Sequence, residues 1–163
     1  FRPQHLHTYP SAALLLARGL EQTGLSLGVP LTSVLCGSEK LALSSQRYLE
    51  RIFGAPVGHW YGHSERVVLA GQGRTSAHFY FSPTYGYAEF GAPDADGNRE
   101  VIATSFDNLA MPMIRYRTGD YVRFTEHPDR EFAAVEVEEI VGRAQFRDVV
   151  MARTDDRHDF LFE

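Results

Sequence analysis

Two short strings hold the residues best suited to chemistry: Tyr61-Gly62-His63-Ser64-Glu65 and, farther along, Tyr116-Arg117-Thr118-Gly119-Asp120. Each combines an aromatic ring, a glycine and a carboxylate within five residues, and each spacing predicts a tight turn with the acid directly after it. A nucleotide needs this set: a flat face for a base, backbone amides freed by glycine for phosphate, and an acid for a metal ion or a ribose. Plainer roles exist for the same side chains. Glu65 could cap the segment that follows, Asp120 could cap a turn after Gly119, and Tyr61 could be a core tyrosine. Arg117 suits a surface ion pair and is not counted among the candidates.

The histidines are weaker signals. His5 and His7 could place two imidazoles on one side of a strand, but no third ligand lies nearby, so the pair reads as a surface segment. His63 could touch a nucleotide or an acyl group, His59 and His78 read as packed strand residues, and His127 and His158 as surface positions. A Ser-His-Asp hydrolase is disfavoured because Ser64 lacks the Gly-X-Ser-X-Gly elbow.

These residues need elements to hold them. Ser11 after Pro10 reads as the N-cap of a helix with a leucine- and alanine-rich stripe that stops at Gly24. Residues 31–36 form a short apolar run, read as a buried strand, with Gly37-Ser38-Glu39 at its carboxyl end, the end at which open α/β sheets bind ligands. A second helix over 44–53 and a strand over 57–60 lead into Tyr61. Strand, loop, helix, strand predicts a parallel sheet with crossover helices. Beyond Glu65 the pattern turns to strands over 77–81, 87–90, 100–104, 114–116, 121–124 and 133–141, with turn residues at 93–98. The expected class is α/β: a parallel-sheet subdomain over 1–75, a β-rich, distorted barrel-like subdomain over 76–143, and a polar tail over 144–163.

Composition bounds the function. The 163 residues are 44% hydrophobic and 23% charged, and no window approaches the roughly eighteen apolar residues that cross a bilayer. A net charge of -5 without a basic, aromatic-studded face argues against nucleic acid as a partner. The single cysteine, Cys36, leaves no internal disulfide and reads as a buried strand thiol, so a reducing cytoplasm is expected. Lys40 is the one lysine, so any mechanism that needs a lysine must use it or a residue outside these 163.

In this order, and followed by Gly142-Arg143, the two strings resemble the adenylate-forming enzymes, the superfamily of acyl-CoA ligases. Within it they look most like the phenylacetate-CoA ligase and capsular polysaccharide biosynthesis branch. The likeness implies a part of the large N-terminal domain, and a parent that activates a carboxylic acid, an aryl acid by family likeness, as an acyl-adenylate for coenzyme A or another acceptor. It implies ATP or AMP and Mg²⁺ as cofactors, with Glu65 as the metal ligand and Ser64 at the α-phosphate. Tyr61 and Gly62 would lie along the adenine, with the backbone of Gly37, Ser38 and Glu39. Asp120 would accept the ribose hydroxyls, and Arg143 would stand near the ribose. The family's Ser/Thr/Gly-rich phosphate loop and its C-terminal lysine have no counterpart here, and Ala144-Gln145-Phe146-Arg147-Asp148 departs from its hinge pattern. The chain alone is therefore expected to be inactive, and apolar surface left by a missing subdomain is expected to drive self-association. Two other classes remain in view: a non-enzymatic nucleotide-binding or assembly module of the same fold, and a carbohydrate-binding protein suggested only by the aromatic content.

Overall fold

The computed structural model describes residues 2–73, 77–124 and 135–143. Strands β1 (His5–Thr8), β2 (Ser33–Cys36) and β3 (Val57–Gly62) pair in parallel, and helices α1 (Pro10–Thr23) and α2 (Leu43–Phe53) make the two crossovers. Ala13, Ala17, Leu49 and Phe53 of the helices bury against Val34, Cys36 and Val57 of the sheet. That packing anchors the parallel part, since a fully buried Leu49 alone stabilises by about 1.5–3 kcal/mol. It also explains Cys36, a wholly buried thiol whose pKa burial pushes up.

Two contacts set where β3 begins. The Gln46 amide of α2 donates to the Val57 carbonyl at 2.6 Å, and the Glu50 carboxylate accepts from the Val57 N–H at 3.3 Å. The start of α1 differs from the expectation. Tyr9, extended and without a side-chain cap bond, is the N-cap, and proline opens the helix, so Ser11 falls inside the first turn. The capping group comes from a distant loop instead: the Glu39 carboxylate accepts the Ser11 N–H and the Ser11 hydroxyl, each at 2.9 Å. A carboxylate at a helix N-terminus satisfies orphan donors and meets the positive end of the helix dipole.

The sheet then continues antiparallel through β4 (Leu69–Gln72), β5 (Phe79–Phe81) and β9 (Val135–Val137), giving the order β1-β2-β3-β4-β5-β9. A second, wholly antiparallel sheet contains β6 (Gly86–Pro93), β7 (Arg99–Ser105), β8 (Tyr116–Arg123) and β10 (Glu139–Arg143), in the order β10-β8-β7-β6. The chain crosses from the first sheet to the second at Glu138, whose N–H donates to the Arg123 carbonyl at 2.8 Å. Between the sheets lies a core of Val67, Val68, Ala70, Phe79, Phe81, Val101, Ala103, Val122 and Val137. Edge-to-face rings run Tyr61, Phe81, Phe90, Phe124, with centroids 6.0, 5.4 and 4.8 Å apart.

The turn expected at 93–98 is present, with the Asp94 carboxylate accepting from the N–H groups of Asp96 and Asn98. The strands expected at 114–116 and 121–124 are instead one strand, β8, which runs through the second motif. The strand expected over 133–141 is broken at Glu138 into β9 and β10, while 133–134 and the tail over 144–163, with Gln145, Asp148 and His158, lie outside the described residues, as does His127.

Close approach joins the sheets at Gly86, where a β-carbon would stand 1.9 Å from the Val67 carbonyl oxygen. Gly86→Ala must push β6 off the segment that leads out of the first motif, so we expect a loss of more than about 2 kcal/mol in urea unfolding. Unchanged stability would show that the two sheets are not held in contact there.

Candidate functional site

The second motif sits on a bulge. Glu100 of β7 pairs with Tyr121 and Ile102 with Arg117, so Thr118, Gly119 and Asp120 together oppose Val101 alone. Gly119 makes this practicable with φ at 74°, a left-handed value that side chains resist. The Thr118 hydroxyl fills the broken ladder, donating to the Val101 carbonyl at 2.8 Å and accepting the Asp120 N–H at 3.0 Å. The extra residues aim Asp120 inward, where it is buried. Neither glycine lies in the tight turn expected of it: Gly119 is in this bulge, and Gly62 is the last residue of β3, with the turn following at His63, whose carbonyl accepts the Arg66 N–H.

Across the seam between sheets, the Asp120 carboxylate meets the first motif. The Tyr61 hydroxyl donates to Oδ2 at 2.9 Å, and His63 Nε2 lies 2.8 Å from Oδ2 and 2.7 Å from the Tyr61 oxygen. An ionised carboxylate beside Nε2 requires that this nitrogen carry the proton. The side chains of His63 and Asp120 are only 8% and 10% exposed. A bulge in β10, between Ile140 and Gly142, registers Arg143 opposite Asp120, and its Nε lies 3.5 Å from Oδ1. Burial alone would raise the Asp120 pKa. Hydrogen bonds from His63 and Tyr61, with the charges of His63 and Arg143, outweigh it and hold the carboxyl below the usual aspartate range. Burial, and then the Asp120 charge, push the Tyr61 phenol upward, so it remains a donor at any physiological pH.

The other candidates lie around this group. Ser64 is exposed on the turn after His63 and Glu65 is half-buried beside it, its backbone carbonyl accepting the Asn108 side-chain amide at 3.2 Å. Among the described residues, no hydrogen bond or ion pair engages the Glu65 carboxylate, nor joins it to Asp120. Gly37 packs under the Trp60 ring so closely that a β-carbon would lie 2.3 Å from it. Ser38 adopts φ of 66°, which turns the chain so that Glu39 reaches α1 while the Glu39 carbonyl meets His59 Nε2 at 2.9 Å. His59 is half-buried, edge-on to Phe79, and lines a cavity of about 230 Å³ with Lys40, Leu41, Gln72 and Ile140. His5 bonds the Ser33 hydroxyl, and the Trp60 indole N–H donates to His7 at 3.2 Å. Arg117 pairs with Glu100, as its surface reading suggested. Sequence reasoning missed Thr118, although it stands inside the motif, and missed His63 as a partner of Asp120, because neither role leaves a mark in spacing.

No protein-family model matches the chain. A phenylacetate-coenzyme A ligase of Escherichia coli (strain K12) is 30% identical over an alignment of 134 residues that covers 76% of this chain and 31% of that protein. Among solved structures, 2-hydroxyisobutyryl-CoA ligase with R3-HIB-AMP bound is similar at a TM-score of 0.67 and 18% identity, over 87% of this chain and 33% of that one. MbtA of Mycobacterium smegmatis matches at 0.59 and 16%, over 86% and 29%. The anthranilate CoA ligase AuaEII with anthranoyl-AMP matches at 0.55 and 12%, over 87% and 30%. The chain spans about a third of the length of these relatives. At such identities the structural matches carry the fold: the mixed α/β architecture with its second, antiparallel sheet is that of a part of an adenylate-forming ligase domain. The sequence match and the fold point to one superfamily, the adenylate-forming acyl-CoA ligases.

The lowered Asp120 pKa gives acid sensitivity a sign. Its contribution to stability is complete above the unfolded aspartate pKa of about 3.9 and is lost as pH falls through the lower folded value. Urea unfolding of the wild type between pH 5 and pH 2 should therefore show an acid-linked loss that Asp120→Asn lacks; matching profiles would mean that the carboxylate is not held ionised by its neighbours.

Proposed function

We propose that this chain supplies the adenine, ribose and metal side of an ATP-dependent ligase that activates a carboxylic acid as an acyl-adenylate for transfer to coenzyme A. One observation carries the reading: a buried, ionised Asp120 converges with Tyr61 and His63 of the other motif across the seam between two sheets. An acceptor fixed in this way suits the hydroxyls of a ribose, since bonds to a charged acceptor contribute about 1.5–3 kcal/mol each. The Tyr61 ring and the backbone of Gly62, Gly37, Ser38 and Glu39 would receive the adenine, and Arg143, exposed beside Asp120, would approach the ribose.

Glu65 fits the metal role, because the residue is half-buried and its carboxylate is unpaired among the described residues, none of which competes for its oxygens. Mg²⁺ bound there would neutralise charge that grows on the phosphates as pyrophosphate leaves. Ser64, exposed on the same turn, is placed by this reading at the α-phosphate. The phenylacetate ligase likeness favours an aryl acid within the branch that includes capsular polysaccharide enzymes, and a cytoplasmic setting suits nucleotide and coenzyme A. We keep 1–75, 76–143 and 144–163 as the proposed subdomains and hinge region. Alone, the chain should not complete adenylation, because it holds no Ser/Thr/Gly-rich phosphate loop and no lysine after Lys40.

That composition also favours a second reading, a non-enzymatic nucleotide-binding or assembly module of the same fold. Sequencing the reading frame on both sides separates the two: a phosphate loop upstream and a lysine-bearing domain downstream support the ligase.

Calorimetry tests the site itself. Asp120→Ala should weaken AMP binding at least tenfold with or without Mg²⁺, whereas Glu65→Ala should weaken adenylation by the complete ligase only through its metal dependence. If both variants behave like the wild type, the site assignments fall. A further expectation concerns assembly. The helices cover one face of the parallel strands and leave Leu35 on the other 45% exposed, while Leu15 on α1 is 75% exposed. We therefore propose self-association through apolar surface, and a monodisperse monomer in light scattering would refute it.

A further inference from the structure

Three groups meet at the Asp120 carboxylate, but they are not equivalent. Tyr61 O–H and His63 Nε2–H both converge on Oδ2, while Oδ1 faces Arg143, whose side chain is 60% exposed. The Oδ2 side is fixed from behind. The Tyr61 and His63 rings meet edge-on at 5.0 Å, Tyr61 packs edge-on against the buried Phe81, and His63 itself is 8% exposed. A carboxylate turns easily about its last torsion, whose wells are broad and two-fold. One donor on Oδ2 would leave that rotation loosely held, whereas two donors converging from one wall stop it.

We infer that His63 is a positioning residue for ribose recognition: with the Tyr61 hydroxyl it immobilises Oδ2 of Asp120 and so presents Oδ1, on the exposed Arg143 side, to the hydroxyls of the ligand. The inference rests on the nucleotide reading above and adds to it the oxygen that receives the ribose and the side chain that orients it. His63 touches no ligand in this account. It acts through Asp120, and removing it lets the carboxylate turn toward Arg143 and spend its acceptor capacity there.

Calorimetry on the full chain with AMP and with 2′,3′-dideoxy-AMP tests this, because the second nucleotide lacks the hydroxyls that Asp120 would read. His63→Ala should weaken AMP binding about tenfold, the scale of one hydrogen bond to a charged group, and leave 2′,3′-dideoxy-AMP unchanged. His63→Gln, whose amide can return a donor toward Oδ2, should restore most of the preference for AMP. Should His63→Ala fail to fold, His63→Phe keeps the ring packing, removes the donor and makes the same comparison. Equal weakening for both nucleotides, or no change in AMP binding, would overturn the role of His63 while leaving the nucleotide site standing. A wild-type chain that binds neither nucleotide would overturn the nucleotide reading and this inference with it.

Discussion

A carboxylate withdrawn from water must find partners, and the Asp120 carboxylate finds three of them on two separate segments. Tyr61 and His63 come from the end of β3 and the turn beyond it, and Arg143 from the end of β10. An unsatisfied charge at this depth would cost several kcal/mol, so the demand constrains the arrangement of both sheets. Any slip of β8 by one residue would send Asp120 to the other face and strand these donors. The bulge opposite Val101 is the local answer, since it inserts residues without moving the flanking pairs.

The remaining packing can be understood as support for that seam. The ring stack from Tyr61 to Phe124 fills the space between the sheets, and Gly86 lets their backbones touch at Val67. Polar contacts close the rim: Lys40 pairs with Glu139 at 2.6 Å, tying the loop after β2 to β10, and His78 pairs with Glu136 at 2.6 Å. The first of these is exposed and adds little energy. Its value lies in register, because Glu139 also lies 3.4 Å from Arg123 of β8.

Much of this was legible in the sequence, and the parts that were not share a cause. Both helices and two of the three parallel strands, β2 and β3, were read nearly to their ends, because apolar periodicity and terminal glycines are local signals, whereas β1, read as a surface segment, carries no such pattern. A shared nucleotide site for Tyr61, Glu65 and Asp120 was expected from the motif pair, through likeness to a family rather than through spacing; the direct bond of Tyr61 to Asp120 was not, and among the described residues no hydrogen bond or ion pair joins Glu65 to Asp120. What escaped depends on distant partners. Ser11 looks like a cap by its own chemistry, yet Pro10 begins the helix and Glu39 supplies the acceptor. β4 is four residues of Leu, Ala, Gly and Gln with little strand character, held by neighbours on both sides. The bulge at Gly119 resembles a turn in sequence because both need a residue that tolerates positive φ, and only the pairing of β7 with β8 distinguishes them.

The two acids of the motifs also show how environment divides labour between identical chemical groups. A carboxylate that must read neutral hydroxyls benefits from fixed geometry, because each lost degree of freedom is then not lost again on binding. A carboxylate that must hold a hard cation benefits from the opposite condition, oxygens with no prior claim on them. Asp120 meets the first condition, with both oxygens partnered and its charge held by neighbours. Glu65 meets the second, standing on a turn with its carboxylate unclaimed among the described residues. Exchanging the two environments would spoil both roles: a clamped Glu65 would have to break hydrogen bonds to take a cation, and a loose Asp120 would meet the ribose with the wrong oxygen. On the proposed reading, the function of the site thus follows less from which acids are present than from which one the seam between the sheets has closed around.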